Sequence, residues 1–165
     1  MSLTAKLNLL LNIEHTKAMD LNTLRDAMNL TRGVSLANGS GANQADAVFH
    51  DTRTLADAAT ETLDVHDGTL VNAFGDTLTL TKLKAIYIKN NSADANLLIG
   101  GAVATQLGLF NDVSDVLKLP PGGDFFMTAP GSAGIDVSTN SDLKIAHDGT
   151  GMSSLTYDII IVGVD

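Results

Sequence analysis

A series of short apolar runs in the second half of the chain constrains the fold more than any other feature. Such runs occupy residues 85–88, 97–100 and 155–164, which are rich in Ile, Val and Leu. They are separated by segments that contain Gly, Pro, Asn and Asp. Short apolar runs bounded by turn residues are typical of strands, and a regular spacing of roughly 8–12 residues between them is typical of a sandwich or barrel. We therefore predict an all-β fold, a β-sandwich or jelly-roll-like domain over residues 33–165 with roughly eight to ten strands.

Further strands follow from local patterns. Residues 77–81 alternate Thr with Leu, which predicts a strand with Leu78 and Leu80 facing inward. The residues 120–123 read Pro-Pro-Gly-Gly and force a turn, because Pro fixes φ and Gly supplies positive φ. Residues 33–47 contain three Gly and an Asn-Gly pair, so we predict a loop or linker there. The remaining predicted strands cover residues 62–65, 116–119, 125–127, 135–137 and 143–146.

The first 32 residues differ from the rest and are predicted to form an extended N-terminal arm. An alternating apolar pattern in residues 7–13 predicts a strand with one apolar face. A short helix over about residues 21–30, with Leu21, Leu24 and Met28 on one side, is the alternative for the second part. The arm either reaches a neighbouring subunit or forms an edge strand and turn of its own domain. If it reaches a neighbour, its contact residues are Leu7, Leu9, Leu11 and Ile13.

Composition argues against several classes of function. Ten Lys and Arg stand against nineteen Asp and Glu, which gives a net charge of −9, whereas a nucleic-acid partner requires a cationic face. Aromatic residues make up only 4%, with no Trp, so sugar-binding and base-stacking surfaces are not expected. The absence of Cys excludes disulfides and thiolate metal sites. No apolar run approaches the ~20 residues of a membrane span, and the N-terminus lacks a signal-peptide pattern, so we expect assembly in a cytoplasm.

The sequence contains only weak candidates for a metal-binding or catalytic site. His66, Asp64 and Asp67 are residue types that bind zinc, and the acidic turns in residues 112–124 are of a type that binds calcium, but neither spacing matches a known ligand pattern. No G-x-S-x-G nucleophile elbow occurs. We therefore predict a non-enzyme without catalytic residues, cofactor or metal. The two alternatives from other classes are a hydrolase with a sandwich fold and a small-molecule or carbohydrate-binding module.

Two positions outside the arm are predicted to make protein contacts. Arg53 stands among small residues beside Asp51, and forms either a surface ion pair or a pair across a subunit interface. Phe125 and Phe126 are adjacent on a predicted strand, so one ring faces the core and the other faces outward. We assign the outward, interface-forming role to Phe125.

Five segments, in order, carry a resemblance to a known family. They read ANQADAVFHDTRTL (residues 42–55), LVNAFG (70–75), KAIYIKN (84–90), LPPGG (119–123) and YDIIIVG (157–163). Over about residues 38–164 the chain resembles a family of tailed-phage virion structural proteins. The resemblance implies a structural role and supplies no catalytic residues.

Within that family, the small size and the all-β pattern favour a head decoration (cement) protein. Such proteins are typically small β-rich trimers that sit where capsid subunits meet. The resemblance thus implies a homo-oligomer, a trimer by analogy, that binds the major capsid protein on the virion and bridges neighbouring capsid subunits. The alternative is a tail, baseplate or fibre component with a structural or receptor-binding role.

Overall fold

The computed structural model describes residues 2–101, 103–151 and 153–165, which form twelve strands and no helix. The all-β prediction is therefore confirmed. The strands are β1 (Ala5–Ala18), β2 (Thr23–Asn38), β3 (Gln44–Ala45), β4 (Ala47–Leu55), β5 (Thr60–Asp64), β6 (Lys82–Asn90), β7 (Leu97–Gly100), β8 (Val116–Leu119), β9 (Asp124–Thr128), β10 (Ile135–Asp136), β11 (Asp142–His147) and β12 (Leu155–Val164).

Two antiparallel sheets enclose the core of the molecule. The five-stranded sheet has the order β10-β6-β12-β4, with β9 also paired to β6, and the four-stranded sheet has the order β5-β11-β7-β8. The apolar faces of both sheets contribute to one buried cluster, as expected for a β-sandwich. The jelly-roll topology stays a prediction. The cluster includes Phe49, Leu63, Ile86, Ile88, Leu97, Ile99, Leu119, Leu143, Ile145, Tyr157, Ile159 and Ile161.

Near one end, the two central strands of the five-stranded sheet are buried on both faces. Ile86 on β6 lies opposite Ile161 on β12, and both face the core between the sheets. The neighbouring pair, Ala85 and Val162, faces the other way and is buried in a second, smaller cluster. This double burial explains the unbroken apolar character of residues 161–164, whereas Ile160, on the same outer face, is 39% exposed.

A β-bulge near the ends of β6 and β12 re-aims one side chain. The register shifts between Val162 and Gly163, so that Gly163 lies opposite Leu83 and Lys84 has no cross-strand partner on β12. A Cβ on Gly163 would lie 2.5 Å from the carbonyl oxygen of Lys82, so only glycine fits there.

The amine of Lys84, which the bulge re-aims, is fully buried. Its Nζ donates to the carbonyl oxygens of Gly41 and Ser132, each at 3.3 Å, and to that of Gly131. Burial lowers the pKa of this amine. The contacts tie the loop after β2 to the loop before β10.

Four of the nineteen acidic residues lie in turns of one repeated kind. In each of them, an Asp oxygen accepts hydrogen bonds from both the backbone N–H and the hydroxyl of the Ser or Thr two residues later. These bonds lower the pKa of each carboxyl, because they stabilise its charged form. The triplet Asp-Gly-Thr, which occurs at residues 67–69 and again at 148–150, therefore forms the same turn at both places. The pairs are Asp67–Thr69, Asp112–Ser114, Asp136–Ser138 and Asp148–Thr150.

Most predicted strands are confirmed, and two regions differ. Leu78 and Leu80 are buried as predicted, but residues 77–81 form only a bridge, between Thr77 and Val71. Their N–H groups bond to three separate segments, at Leu70, Val65 and Val164, and so form no ladder with a single strand. Residues 33–47 are not a single loop: β2 continues to Asn38 because β1 pairs with it up to Leu36, and the loop is confined to residues 39–43.

A polar cluster closes one edge of the sandwich. Arg53 on the edge strand β4 donates to Glu61 on the edge strand β5 at 2.8 Å, and also pairs with Asp51 at 3.0 Å. The buried Tyr157 donates its hydroxyl hydrogen to the same Glu61 carboxylate at 2.8 Å. Burial and this hydrogen bond raise the pKa of Tyr157. Because β4 and β5 belong to different sheets, Glu61 links one sheet to the other.

We expect Tyr157→Phe to lower the free energy of unfolding by about 1.5 kcal/mol, since it removes a buried hydrogen bond to a charged group while keeping the ring. Urea unfolding measures the change. Tyr87→Phe is the matched control, because the Tyr87 hydroxyl also bonds to a carboxylate, that of Asp124, but at an exposed site. If the free energy of unfolding falls equally in the two variants, the result contradicts the role of Glu61 as a link between the sheets.

Candidate functional site

The N-terminal residues form a long β-hairpin. Strands β1 and β2 pair from Ala5 opposite Leu36 to Ala18 opposite Thr23, and residues 19–22 form the turn. The alternative of a helix over residues 21–30 is wrong, because β1 satisfies the backbone hydrogen bonds of this segment as a neighbouring strand. The predicted boundary after residue 32 falls inside β2, so the hairpin and the body share one continuous strand.

The hairpin has one apolar face and one polar face. Directly paired residues lie on the same side of a sheet, so Leu11 shares a face with Leu30, and Ile13 shares it with Met28. The opposite face carries polar pairs such as Asn12 with Asn29, with Leu10 as its main apolar exception. We call the first side the apolar face; its apolar members are Ala5, Leu7, Leu9, Leu11, Ile13, Leu24, Met28, Leu30, Val34 and Leu36.

The base of the hairpin packs on the body. Leu36 is 1% exposed and lies in a cluster with Ala85 and Val162, on the outer face of the five-stranded sheet. Leu7 and Val34 pack against this cluster as partly buried residues. The first part of the apolar face is therefore covered by the protein's own sheet.

The rest of the hairpin, residues 8–32, is here named the distal hairpin, and its apolar face is uncovered. Every residue from 8 to 29 is exposed. Ile13 is 51% exposed, Met28 47%, and Leu21 in the turn is fully exposed. At strand spacings, this uncovered face is roughly 30 Å long and ~10 Å wide, a footprint of about 300 Å². Arg32, Lys17 and the paired His15 and Asp26 also lie on it, so its continuous apolar part is the segment formed by Leu9, Leu11, Ile13, Met28 and Leu30.

A groove lies between the hairpin base and the sheet. Its volume is about 460 Å³, and its lining is mostly apolar. Leu7 and Leu9 form one side, while Tyr87, Phe126 and Ile160 on the outer face of the sheet form the other. Phe126 is 40% exposed and Ile160 is 39% exposed. The groove thus extends the apolar surface from the hairpin onto the sheet.

The structure brings together only some of the residues that the sequence nominated for contacts. Leu9, Leu11 and Ile13 share the uncovered apolar face, whereas Leu7 packs at the base. Arg53 lies elsewhere, in the ion pairs that close the sandwich. Whether any of these residues contacts a partner stays a prediction.

The outward orientation assigned to Phe125 is wrong. Phe125 lies opposite Ile88, which faces the core, and it packs against the core cluster. Phe126 lies opposite Tyr87 and is the exposed ring. The sequence correctly predicted that the two rings diverge, but which ring faces outward depends on the register of β9 against β6.

The sequence reasoning missed the second strand of the apolar face. Leu24, Met28 and Leu30 occupy even positions, so a period of two was present. Residues 24 and 28 are also four apart, which fits one face of a helix equally well. The alternating apolar residues of β1 were the signal that favoured a strand over a helix in residues 21–30, because two strands of a hairpin with one apolar face both carry apolar residues at every second position.

The residues considered for metal binding are engaged in other contacts. Asp64 accepts backbone hydrogen bonds from His66 at 2.9 Å and from Asp67 at 3.2 Å, while His66 Nδ1 lies 2.7 Å from the carbonyl oxygen of Leu80. In the acidic segment, Asp115 accepts the backbone hydrogen of Asp112. Within residues 2–101, 103–151 and 153–165, no three His, Cys, Asp or Glu side chains are grouped to hold a metal ion.

Charge is distributed unevenly between the hairpin and the body. Residues 1–32 carry four Lys or Arg and three Asp or Glu, a net charge of +1. Residues 33–165 carry six Lys or Arg and sixteen Asp or Glu, a net charge of −10. The distal hairpin itself, residues 8–32, carries three Lys or Arg and three Asp or Glu, so its net charge is zero and charge selects neither an acidic nor a basic partner surface for it.

The two Tyr residues give a spectroscopic test of the site. The hydroxyl of Tyr87, beside the groove, donates to Asp124, and this hydrogen bond raises the pKa of Tyr87 to about 12. Because folding raises the pKa of both phenols, their contribution to stability is present below pH ~10 and is lost as pH rises through the folded-state values. We expect the folded protein to show no tyrosinate absorbance at pH ~10, and the urea-unfolded protein to titrate there. If one phenol of the folded protein ionises near pH 10, and this ionisation is absent from the Tyr87→Phe variant, the result contradicts the Tyr87–Asp124 hydrogen bond.

The comparisons with known proteins give no relative. No protein-family model matches the chain, and no curated protein and no solved structure shows significant similarity to it. In the described part of the chain there is no helix with the length and apolar character to cross a membrane. The function must therefore be argued from the hairpin, the groove and the sequence resemblance.

Proposed function

We propose that this protein is a structural component of a tailed-phage virion, a head decoration protein that binds the major capsid protein and stabilises the shell. The observation that carries the proposal is the uncovered apolar face of the distal hairpin, with Leu11, Ile13 and Met28 at its centre. A two-stranded ribbon is marginally stable by itself in water, so a ribbon of this length gains most from a partner that covers its apolar face.

The proposed mechanism is binding through many weak contacts. The whole uncovered face, with a footprint of about 300 Å², is small beside the ~800 Å² that each partner contributes to a standard protein interface. Single contacts of this size become strong when many copies engage one particle, since each further contact is intramolecular. A capsid, with its many repeated sites, presents such an arrangement.

The remaining surfaces support a structural role. Arg53 and Glu61 link the two sheets, and Lys84 ties the loop after the hairpin to the body. These contacts fix the base of the hairpin relative to the body. The proposal assigns no chemical step to the protein. The acidic body, with net charge −10, favours solubility when many copies are crowded on one surface.

We expect a protein with a shortened hairpin to fold but to lose attachment to heads. In this variant, residues 9–32 are replaced by Asn-Gly, a two-residue hairpin turn, which keeps the base pair Leu7–Val34 on the sheet. Loss of multivalent contacts should weaken attachment by at least about a hundredfold. Co-sedimentation with purified heads that lack the protein measures this, and urea unfolding checks the fold.

Leu10→Asn is the control for the shortened hairpin, because Leu10 lies on the opposite face and is 61% exposed. It should attach to heads normally. Failure of the wild-type protein to bind heads would overturn the proposal, and binding to purified tails or baseplates instead would assign the protein to the tail.

A further inference from the structure

The outer edge of β1 carries backbone groups that no strand of the described residues pairs with. Strand β1 pairs with β2 on one side only. At the turn, the N–H of Met19 donates to the carbonyl oxygen of Asn22 at 2.7 Å. At the base, the N–H of Ala37 on β2 points away from β1, to the carbonyl oxygen of Asn43 at 2.9 Å. Because backbone groups alternate along an antiparallel ladder, the even-numbered residues of β1 point their N–H and C=O groups outward.

This edge lacks the features with which proteins protect an exposed strand. Residues 7–13 read LNLLLNI, without charge, Pro or Gly, and their pairing with β2 runs without a bulge. A long edge of this kind pairs readily with a further strand. The outer edge of β2 differs, because Arg25, Arg32 and Gly33 interrupt it. The open edge of β1 is therefore the one suited to receive another strand.

The sequence of β1 is self-complementary when two copies run antiparallel. Residues 6–14 read KLNLLLNIE, which is symmetric about Leu10 in apolar and polar character and carries opposite charges at its two ends. When Leu10 lies opposite Leu10 of a second copy, apolar residues meet apolar residues and polar residues meet polar residues. The pairs between the copies are Lys6–Glu14, Leu7–Ile13, Asn8–Asn12, Leu9–Leu11 and Leu10–Leu10.

We propose that two copies of this chain pair through the outer edges of their β1 strands, antiparallel and with Leu10 at the two-fold axis. The even-numbered residues of 6–14 would exchange about ten backbone hydrogen bonds, and the two hairpins would form one four-stranded sheet. Directly opposite residues share a face, so both apolar faces would lie on the same side of this sheet, and the edge pairing does not cover them. The inference does not depend on the proposed function.

Charge selects this register and a second copy as the partner. In the described part of the chain Lys6 makes no ion pair, and Glu14 is exposed beside Arg25. In the dimer, Lys6 of each copy would face Glu14 of the other, which gives two cross-strand pairs of opposite charge. A shift of two residues in either direction would separate these charges and place Leu10 opposite an Asn. A shift of one residue would place the free backbone groups opposite groups that already bond to β2.

The two-fold axis also accounts for Leu10, the main apolar residue on the polar face. Its side chain is 61% exposed in the single chain. At the axis, its Cα would lie about 5.5 Å from that of Leu10 in the second copy, so the two side chains would cover each other. Asn8 and Asn12 would flank this pair and could exchange amide hydrogen bonds across the strands.

The dimer leaves room for both bodies. Each hairpin begins at the pair Ala5–Leu36, and in this register the two copies of that pair would lie roughly 34 Å apart along the sheet. A domain of about 130 residues has a radius of gyration of ~14 Å, so its width is comparable with that separation. The contact uses the same edge on both copies and therefore closes as a dimer, not as the trimer that the family resemblance implies.

The first test removes a backbone donor at the centre of the edge. Leu10→Pro deletes an outward N–H and keeps the bonds to β2, so light scattering should show a fall from twice the 17.2 kDa protomer to one protomer. Ala27→Pro deletes an outward N–H on the other edge of the hairpin and should stay dimeric, as should Leu10→Asn, which keeps the N–H. Far-UV circular dichroism confirms that each variant is folded. A wild-type monomer or trimer, or equal masses for Leu10→Pro and Ala27→Pro, would overturn the proposal.

The second test reverses the charges at the two ends of the paired segment. Lys6→Glu places two carboxylates opposite each other twice per dimer, and Glu14→Lys does the same with two cations, so each should weaken dimerisation by about tenfold. An equimolar mixture of the two variants restores both pairs of opposite charge and should dimerise as tightly as the wild type. A mixture that dimerises no better than its separate components would contradict the register.

The third test uses cysteine cross-linking, because the chain has no Cys of its own. A Cα separation of about 5.5 Å at the axis matches the geometry of a disulfide. Under mild oxidation, Leu10→Cys should form a disulfide-linked dimer at least about tenfold faster than Ala27→Cys, which is exposed on the outer edge of β2. Equal rates for the two variants would overturn pairing through the β1 edge.

Discussion

The antiparallel pairing of β6 with β12 is the interaction on which the rest of the structure depends. Near one end these strands are buried on both faces, so their register decides which side chains form the inner core and which form the outer packing surface. On the inner face, Ile86 and Ile161 help to form the core between the sheets. On the outer face, Ala85 and Val162 provide the small, flat surface on which the hairpin base packs. A slip of one residue would exchange these faces and remove both layers together.

The hairpin presents the opposite situation, because its backbone is paired while its apolar face is not. At ~25 cal/mol per Å², covering this face of about 300 Å² contributes at most roughly 7 kcal/mol, because Arg32, Lys17, His15 and Asp26 also lie on it. Bringing two molecules together costs about 4–15 kcal/mol in lost translational and rotational freedom. One hairpin contact is therefore of marginal strength by itself. Copies held on a common scaffold avoid most of that association cost, which is why the hairpin suits an assembly better than an isolated complex.

Particular residues show where sequence reasoning was sufficient and where it failed. The runs at 97–100, 116–119 and 155–164 were predicted with the same bounds, because short apolar runs between turn residues have few alternatives. The second hairpin strand was ambiguous, because Leu24 and Met28 satisfy a period of two and a spacing of four. Phe125 and Phe126 were known to diverge, but only the pairing of β9 with β6 decides which ring is buried. The groove could not be predicted, since its two sides come from segments about 80 to 150 residues apart in sequence.

The sequence by itself determined the all-β class, most strand positions, the turns and one apolar face in the first strand. These properties depend on local periodicity and on the conformational limits of Gly, Pro and Asp, which act within a few residues. The tertiary structure alone decided that residues 5–38 form one hairpin, that its base is covered and its distal part is not, and that Lys84 and Glu61 link separate segments. These properties depend on register and on contacts between distant segments, and no local pattern encodes them.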